Sequence, residues 1–241
     1  MTVTKEQLAK MIDHTQLAAY ATRADIEKLC GEARQYGFAA VCVNPVHVPL
    51  ASSLLAGSDV KVCTVIGFPL GADATEDKAA QAANSVKKGA DEVDMVMDIG
   101  AAIEGRFDDV ERDIFYVVQA TRMTGKDMHK SPLVKVILET CYLSDEGIAR
   151  ACACAKAAGA DFVKTSTGFA TPKDMYGCPM PNGAKAREVR LMRRTVGEEM
   201  GVKASGGIRT AEAARKMIAS GANRLGTSSG VKIIEEWEDL F

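Results

Sequence analysis

The sequence predicts an α/β fold, a single (β/α)8 barrel of the TIM type, on three observations. Short apolar runs rich in β-branched residues alternate with helical stretches along the whole chain. Several of these runs are continuously apolar, as parallel strands covered on both faces require. One turn grammar then recurs after the helices, in Lys88-Gly-Ala-Asp-Glu-Val, Ala158-Gly-Ala-Asp-Phe-Val and Ser220-Gly-Ala-Asn-Arg-Leu. It reads as helix, glycine turn, small residue, polar residue and strand, the αβ loop at the bottom of a barrel. A doubly wound open sheet is the alternative, but the GxGxxG fingerprint of dinucleotide-binding sheets is absent.

The eight apolar runs lie near Met11–His14, Ala39–Val43, Val60–Ile66, Glu92–Met97, Val134–Glu139, Phe162–Thr165, Val202–Ala204 and Arg224–Gly226. Between them, Asp25 to Tyr36 places Ile26, Leu29, Cys30 and Ala33 on one helical face. Asp73 to Lys88 opens with acidic residues and ends in Lys87, Lys88 and Gly89, an order that suits the helix dipole. Ser144 and Thr210 are helix caps, and Gly159 and Gly221 are the matching stops. Only Phe169 to Gly183 breaks the rhythm, with three of the seven prolines. It reads as an extended loop before a helix beginning near Ala184. Following a strand end, it is either a lid or specificity element on the catalytic face or a plain surface insertion.

A chain of 241 residues without a change of composition fits one domain spanning 1–241. A net charge of −2 implies no general attraction to nucleic acid or to a membrane. The opening MTVTKEQLAKMIDHT lacks the apolar core of a signal peptide, and no apolar run is long enough to span a bilayer, so a cytoplasmic protein is expected. Seven cysteines without a CxxC pair are read as reduced thiols filling core space. Histidines 14, 47 and 129 share no ligand spacing, so no metal site is expected.

Barrel enzymes carry their chemistry at the C-terminal ends of strands. The residues to weigh are therefore charged side chains inside apolar runs, where burial without a partner is costly. Lys164 lies in Asp161-Phe-Val-Lys-Thr-Ser-Thr-Gly168, Lys135 in Leu133-Val-Lys-Val-Ile-Leu-Glu139, Lys203 in Gly201-Val-Lys-Ala-Ser-Gly-Gly207 and Asp94 in Asp91-Glu-Val-Asp-Met-Val-Met97. A single strand lysine is more simply an outward, snorkelling side chain. Three lysines on three strands can instead converge on the barrel axis. There, mutual repulsion and desolvation would free an amine as a nucleophile near neutral pH, with Asp94 placed to relay protons. By this count Lys203 sits two strands beyond Lys164. The glycine- and serine-rich turns Ser205-Gly-Gly-Ile and Gly226-Thr-Ser-Ser-Gly230 follow the last two strands, where barrels often bind phosphate through backbone N–H groups. A phosphate is expected near Gly206, Gly207, Ser228 and Ser229, with Gly168 close by.

The strings FVKTSTGF, EVDMVMDIG, VKVILETCYL and VKASGGIRT, in this order, resemble the deoxyribose-phosphate aldolase family. The likeness runs from Asp13-His-Thr through Val41-Cys-Val-Asn-Pro45 and Thr64-Val-Ile-Gly-Phe-Pro-Leu-Gly71 to Gly226-Thr-Ser-Ser-Gly230. The resemblance implies a class I aldolase on a TIM barrel that needs no cofactor. It implies interconversion of 2-deoxy-D-ribose 5-phosphate with acetaldehyde and D-glyceraldehyde 3-phosphate. By motif, Lys164 matches the Schiff-base lysine, Lys203 the second lysine that perturbs it, and Asp94 the proton-relaying aspartate. Lys135 takes a supporting role, and Gly168, Gly206, Gly207, Ser228 and Ser229 match the phosphate cradle. The stretch after Gly168 departs from the family, being roughly ten residues longer than usual. The expected partner is a small phosphorylated sugar, and a homo-oligomer is allowed but not specified. Two rivals remain open at this level: an isomerase or epimerase barrel using carboxylate or histidine bases, and a phosphate-binding barrel without turnover.

Overall fold

The computed structural model describes residues 3–239; the expected 1–241 domain extends beyond them at both ends. Eight strands pair in chain order, all parallel, and the last closes on the first. They are β1 (Ile12–Gln16), β2 (Ala40–Val43), β3 (Lys61–Ile66), β4 (Glu92–Val96), β5 (Leu133–Ile137), β6 (Phe162–Lys164), β7 (Gly201–Ser205) and β8 (Arg224–Thr227). The closed barrel replaces the open-sheet alternative. It also corrects the strand count between the two lysines: β6 and β7 are neighbours, and Lys164 stands directly opposite Lys203.

The recurrent turn grammar has a physical role at its polar position. Asp91, Asp161 and Asn223 each accept, through the side chain, the backbone N–H of the strand before: Val62 at 3.0 Å, Val134 at 2.8 Å and Val202 at 2.9 Å. Each backbone N–H of the same three residues donates to the carbonyl of that same partner. The three turns thus pin neighbouring strands together at the bottom of the barrel, where ladder pairing has not yet begun.

The helices are α1 (Lys5–Ala9), α2 (Arg23–Tyr36), α3 (Val48–Leu54), α4 (Thr75–Lys87), α5 (Ile99–Ile103), α6 (Phe107–Asp127), α7 (Asp145–Ala157), α8 (Ala186–Val196), α9 (Ala211–Ala219) and α10 (Gly230–Glu235). Ser144 and Thr210 cap α7 and α9 as expected. The start of α2 lies earlier than the sequence reading put it, because Thr22 and Asp25 form a reciprocal capping box. The longest helix, α6, is fastened to α4 by a buried ion pair, Lys78 Nζ to Asp113 Oδ2 at 2.7 Å. Among the described residues no helix is long and apolar enough to cross a membrane.

Two apolar regions result. The large one fills the layer between barrel and helices, with Ile26, Val93, Met95, Ile114, Val136, Val163 and Leu225 all buried. Each such side chain contributes about 1.5–3 kcal/mol relative to exposure. The small one lies inside the barrel on the β1–β3 side and comprises Leu17, Ala40, Cys42, Cys63 and Val65. The rest of the interior is ionic, so stability comes chiefly from the outer layer. The thiol expectation holds for Cys30, Cys42, Cys63, Cys152 and Cys154, which are buried, whereas Cys178 is exposed.

Phe169–Gly183 is not an open loop. Asn182 Nδ2 donates to Ala170 O at 2.5 Å, Met180 N to Pro172 O at 2.8 Å and Asp174 N to Cys178 O at 2.9 Å, which zips the segment into a hairpin. Asp174 Oδ1 caps the tip by accepting from the backbone of Tyr176 and Cys178. Met175 and Tyr176 project into solvent, being 88% and 82% exposed.

Candidate active site

Lys135, Lys164, Lys203 and Asp94 do converge, as the sequence expectation required, and all four are buried. One carboxylate serves all three amines. Asp94 Oδ1 accepts from Lys135 Nζ at 2.8 Å, and Asp94 Oδ2 accepts from Lys164 Nζ at 2.8 Å and Lys203 Nζ at 2.7 Å. Two further carboxylates, which the sequence reading did not single out, complete the network. Lys203 Nζ donates to Asp13, whose other oxygen accepts from Arg224 at 2.6 Å. Lys135 Nζ donates to Glu92 Oε2 at 2.5 Å, and Glu92 also binds Arg224.

The electrostatics differ from lysine crowding alone. Burial disfavours charge on Lys135, but Asp94, with Cys63, Glu92 and Asp13, outweighs it and holds the ammonium well above the usual lysine range. For Lys203, burial is likewise overcome by Asp13 and Asp94, and its value is raised. Burial would raise Asp94, but Lys135, Lys164 and Lys203 hold it well below the usual carboxylate range. Asp13 is held low in the same way, burial being outweighed by Lys203, Arg224 and Lys135. For Lys135 and Lys203 the expectation that mutual repulsion would dominate is therefore corrected. Lys135 and Lys203 are fixed cations, because each has carboxylates within hydrogen-bond reach. The four cations Lys135, Lys164, Lys203 and Arg224 face the three carboxylates Asp13, Glu92 and Asp94.

Lys164 differs from the other two lysines in its surroundings. Among the described residues its one carboxylate contact is Asp94, which it shares, and it opens onto a cavity of about 480 Å³ at the barrel mouth. Gly206, Gly207, Gly226, Thr227 and Ser228 form one side of this cavity and Thr15 to Tyr20 another. Arg209 adds a cation beside Gly207. Gly168 and Ser229 do not line it. Gly168 packs behind, where a Cβ would meet the Gly206 Cα at 3.8 Å. Ser229 N donates to Thr227 Oγ1 at 2.9 Å and so belongs to the turn into α10.

The hairpin reaches this cavity only through its base. Phe169 lines it and packs edge-on against Phe68, with ring centroids 5.2 Å apart. At the other end, Ala184 N donates to Gly206 O at 3.1 Å, and Gly183 presses on the same peptide. A Cβ at Gly183 would stand 2.5 Å from Gly206 O, and the residue has φ +84°, so only glycine fits there.

Among the described residues two groups of side chains have the proximity of a metal site, Cys42, Cys63 and Asp94, and Asp13, Cys63 and Glu92. Both include carboxylates already paired with ammonium groups, and Lys135 Nζ lies 3.3 Å from Cys63 Sγ. A cation there would face Lys135 directly, which like-charge repulsion opposes.

A barrel whose mouth holds a buried amine on a carboxylate, beside a glycine-lined recess, is the frame of a carbonyl-handling enzyme. The chain belongs to the DeoC/LacD family of aldolases, whose family model matches residues 7–236. It is 56% identical over 233 residues to a deoxyribose-phosphate aldolase of Thermoanaerobacter sp. (strain X514), covering 97% of this chain and 98% of that one. It is 56% identical over 230 residues to the enzyme of the same name from Thermococcus gammatolerans, covering 95% of each. Among solved structures, the tetrameric deoxyribose phosphate aldolase from Aeropyrum pernix superposes with a TM-score of 0.83 at 36% identity, covering 96% of this chain and 91% of that one.

Proposed function

We propose that this protein is a class I aldolase that interconverts 2-deoxy-D-ribose 5-phosphate with acetaldehyde and D-glyceraldehyde 3-phosphate, with Lys164 as the Schiff-base nucleophile. The observation that carries the assignment is that Lys164 alone of the three lysines opens onto the cavity. Its amine adds to C1 of the open-chain sugar, and loss of water leaves a protonated imine. The C2–C3 bond breaks with its electron pair entering the imine. The C3 hydroxyl gives up its proton and becomes the aldehyde of glyceraldehyde 3-phosphate. The neutral enamine then takes a proton at C2 and is hydrolysed to acetaldehyde.

Asp94, through a water, is the acceptor of the C3 hydroxyl proton in this reading, and its basicity changes at the right moment. While three cations surround it, it is a weak base. When the imine collapses to a neutral enamine one of those cations disappears, and the carboxylate becomes a better acceptor. Lys203, fixed by Asp13, supplies a permanent positive charge on the same Asp94 oxygen, and Lys135 supports Asp94 from its other side. Gly206, Gly207 and Ser228, with Arg209, are assigned to the phosphate, while Gly168 adjoins Gly206 and Ser229 is bonded to Thr227 beside that cradle. Phosphate binding far from the cleaved bond orients the sugar. A cytoplasmic setting and a homo-oligomer belong to the same reading.

The direct test is borohydride reduction with acetaldehyde. Alkylated Lys164 resists trypsin, so the label is expected on the peptide Ala157–Lys173. A label on the Lys135 or Lys203 peptide would reassign the nucleophile. A protein that cleaves the sugar with no label on any lysine would remove the Schiff base altogether.

Two predictions concern the surroundings. Ser228→Asp puts a like charge beside the phosphate and is expected to weaken binding of the sugar phosphate by about 2–3 kcal/mol. Unphosphorylated deoxyribose should be handled nearly as before, and an equal loss for both substrates would displace the phosphate from Ser228. Replacing Thr171–Asn182 by a short glycine linker keeps Phe169 and Gly183, the two residues that touch the cavity wall and Gly206. Imine trapping is expected to survive while the ranking of acceptor aldehydes changes; an unchanged ranking would make the hairpin a bystander.

A further inference from the structure

Glu139 takes no part in the chemistry above, yet its placement is unusual. It follows β5, is 1% exposed and has φ +52° and ψ +60°, a left-handed conformation that non-glycine residues seldom adopt. The chain is pinned on both sides of it, Leu138 N donating to Lys164 O at 2.9 Å and Thr140 N to Thr165 O at 3.0 Å. Its carboxylate therefore has a fixed direction, and it points at the turn after Lys164. Thr167 N donates to both Glu139 oxygens at 3.2 Å, and the Thr167 hydroxyl donates to Glu139 Oε2. Phe169 N in turn donates to Thr167 Oγ1 at 3.0 Å. Thr167 and Phe169 both line the catalytic cavity, and Phe169 and Glu139 both line a second cavity of about 290 Å³ on the far side. Glu139 thus braces the wall between the two cavities.

We propose that Glu139 is a positioning residue of the reaction, holding the Thr167–Phe169 turn so that Thr167 meets substrate only as a hydrogen-bond acceptor. The inference rests on the aldolase reading of the same cavity. A threonine hydroxyl has one hydrogen and two lone pairs. Here the hydrogen is committed to Glu139 and one lone pair to Phe169 N. The remaining lone pair can accept from a sugar hydroxyl or a water, and Thr167 cannot donate into the cavity. Backbone strain and a buried carboxylate are retained together at one residue, a combination typical of functional sites.

The residue's own energetics separate this role from a structural one. Burial pushes the Glu139 carboxyl up from its ordinary value, against the Thr167 hydrogen bonds and Lys164. With the folded value raised, the folded state favours the neutral acid, and ionised Glu139 opposes folding as pH rises past that value. Glu139→Gln removes that charge, and Glu139→Gly relieves the left-handed backbone as well. Glu139→Gln keeps an acceptor for Thr167 and is expected to stay folded, whereas Glu139→Gly leaves Thr167 N and Oγ1 without their acceptor and is expected to lower Tm.

The experiment compares sugar cleavage with imine capture in both variants and in a cycle with Thr167→Val. Exchanging the carboxyl for an amide in Glu139→Gln, or removing the acceptor in Glu139→Gly, should lower kcat/KM for the sugar phosphate by about tenfold to a hundredfold. Borohydride trapping of acetaldehyde on Lys164, which offers no hydroxyl to Thr167, should stay within about twofold of the parent, and the Glu139→Gln effect should largely vanish in the Thr167→Val background. Unchanged kcat/KM in both variants would overturn the proposal. So would cleavage and trapping falling together, which would mean that Glu139 acts on Lys164, or additive effects in the cycle. Parent protein that cleaves the sugar without forming an imine would refute the Schiff-base reading while leaving the kcat/KM cycle readable.

Discussion

Lys164→Leu is expected to lose sugar cleavage by on the order of 10⁴–10⁶-fold, the scale of deleting a covalent nucleophile, while the protein stays folded. Leucine fills much of the same space. Asp94 keeps Lys135 at 2.8 Å and Lys203 at 2.7 Å, so the carboxylate is not left without a partner. Neither remaining lysine can substitute. Lys135 and Lys203 are fully buried, each is held by two or more carboxylates, and neither lines the cavity. Trapping should therefore be absent at every pH rather than restored in alkali. Measured turnover within tenfold of the parent, or a label moved to Lys203, would show that the amine at the mouth is not the nucleophile.

Asp94→Asn should produce the largest loss of stability. It removes the one carboxylate that touches three ammonium groups and puts a neutral amide in its place. Breaking a buried ion pair on one side costs about 3–5 kcal/mol. Lys203 retains Asp13 and Lys135 retains Glu92, whereas Lys164 retains none of the three network carboxylates as a partner. The variant is thus expected to trap acetaldehyde and yet turn over slowly, since proton relay follows capture. The pH dependence follows from the sign of the shift. Asp94 is held below the usual range in the folded protein, so its contribution is complete above the unfolded value, about pH 4, and is lost as pH falls through the folded value. The stability gap between parent and Asp94→Asn in denaturant titrations should be full at pH 7 and shrink below about pH 4. A gap that is absent at pH 7, or that widens in acid, would contradict this account of the network.

Much of the site was legible because burying a charge is expensive. Lys135, Lys164, Lys203 and Asp94 each interrupt an apolar run, and a charged residue in such a place needs a partner. Asp13 and Glu139 obey the same rule, one in the first strand and the other ending Val134–Glu139, and the signal that marked Asp94 could have marked them. Arg224 and Glu92 were harder to find. They stand at strand starts, where a charged residue is equally well explained as facing solvent. For Gly168 and Ser229 the motif places them in the right turns but does not say which peptide faces the cavity.

By itself the sequence determined the class of fold and the positions of the amines. Alternating strand and helix signals, together with three copies of one glycine turn, leave few architectures other than a parallel barrel. The tertiary structure alone decided which of the three lysines faces the cavity. A strand covered on both faces carries no alternation, so its phase, inward or outward, cannot be read from hydrophobic pattern. Closure of β8 on β1 brings Asp13 to Arg224 and Lys203, and the register of β4 against β5 brings Asp94 beside Lys135. Those cross-barrel pairings turn two of the three lysines into fixed cations. Lys164, at the open end with a shared carboxylate, is left facing the cavity. Charge pairing acts over a few ångströms, and distances of that kind exist only after the barrel has closed.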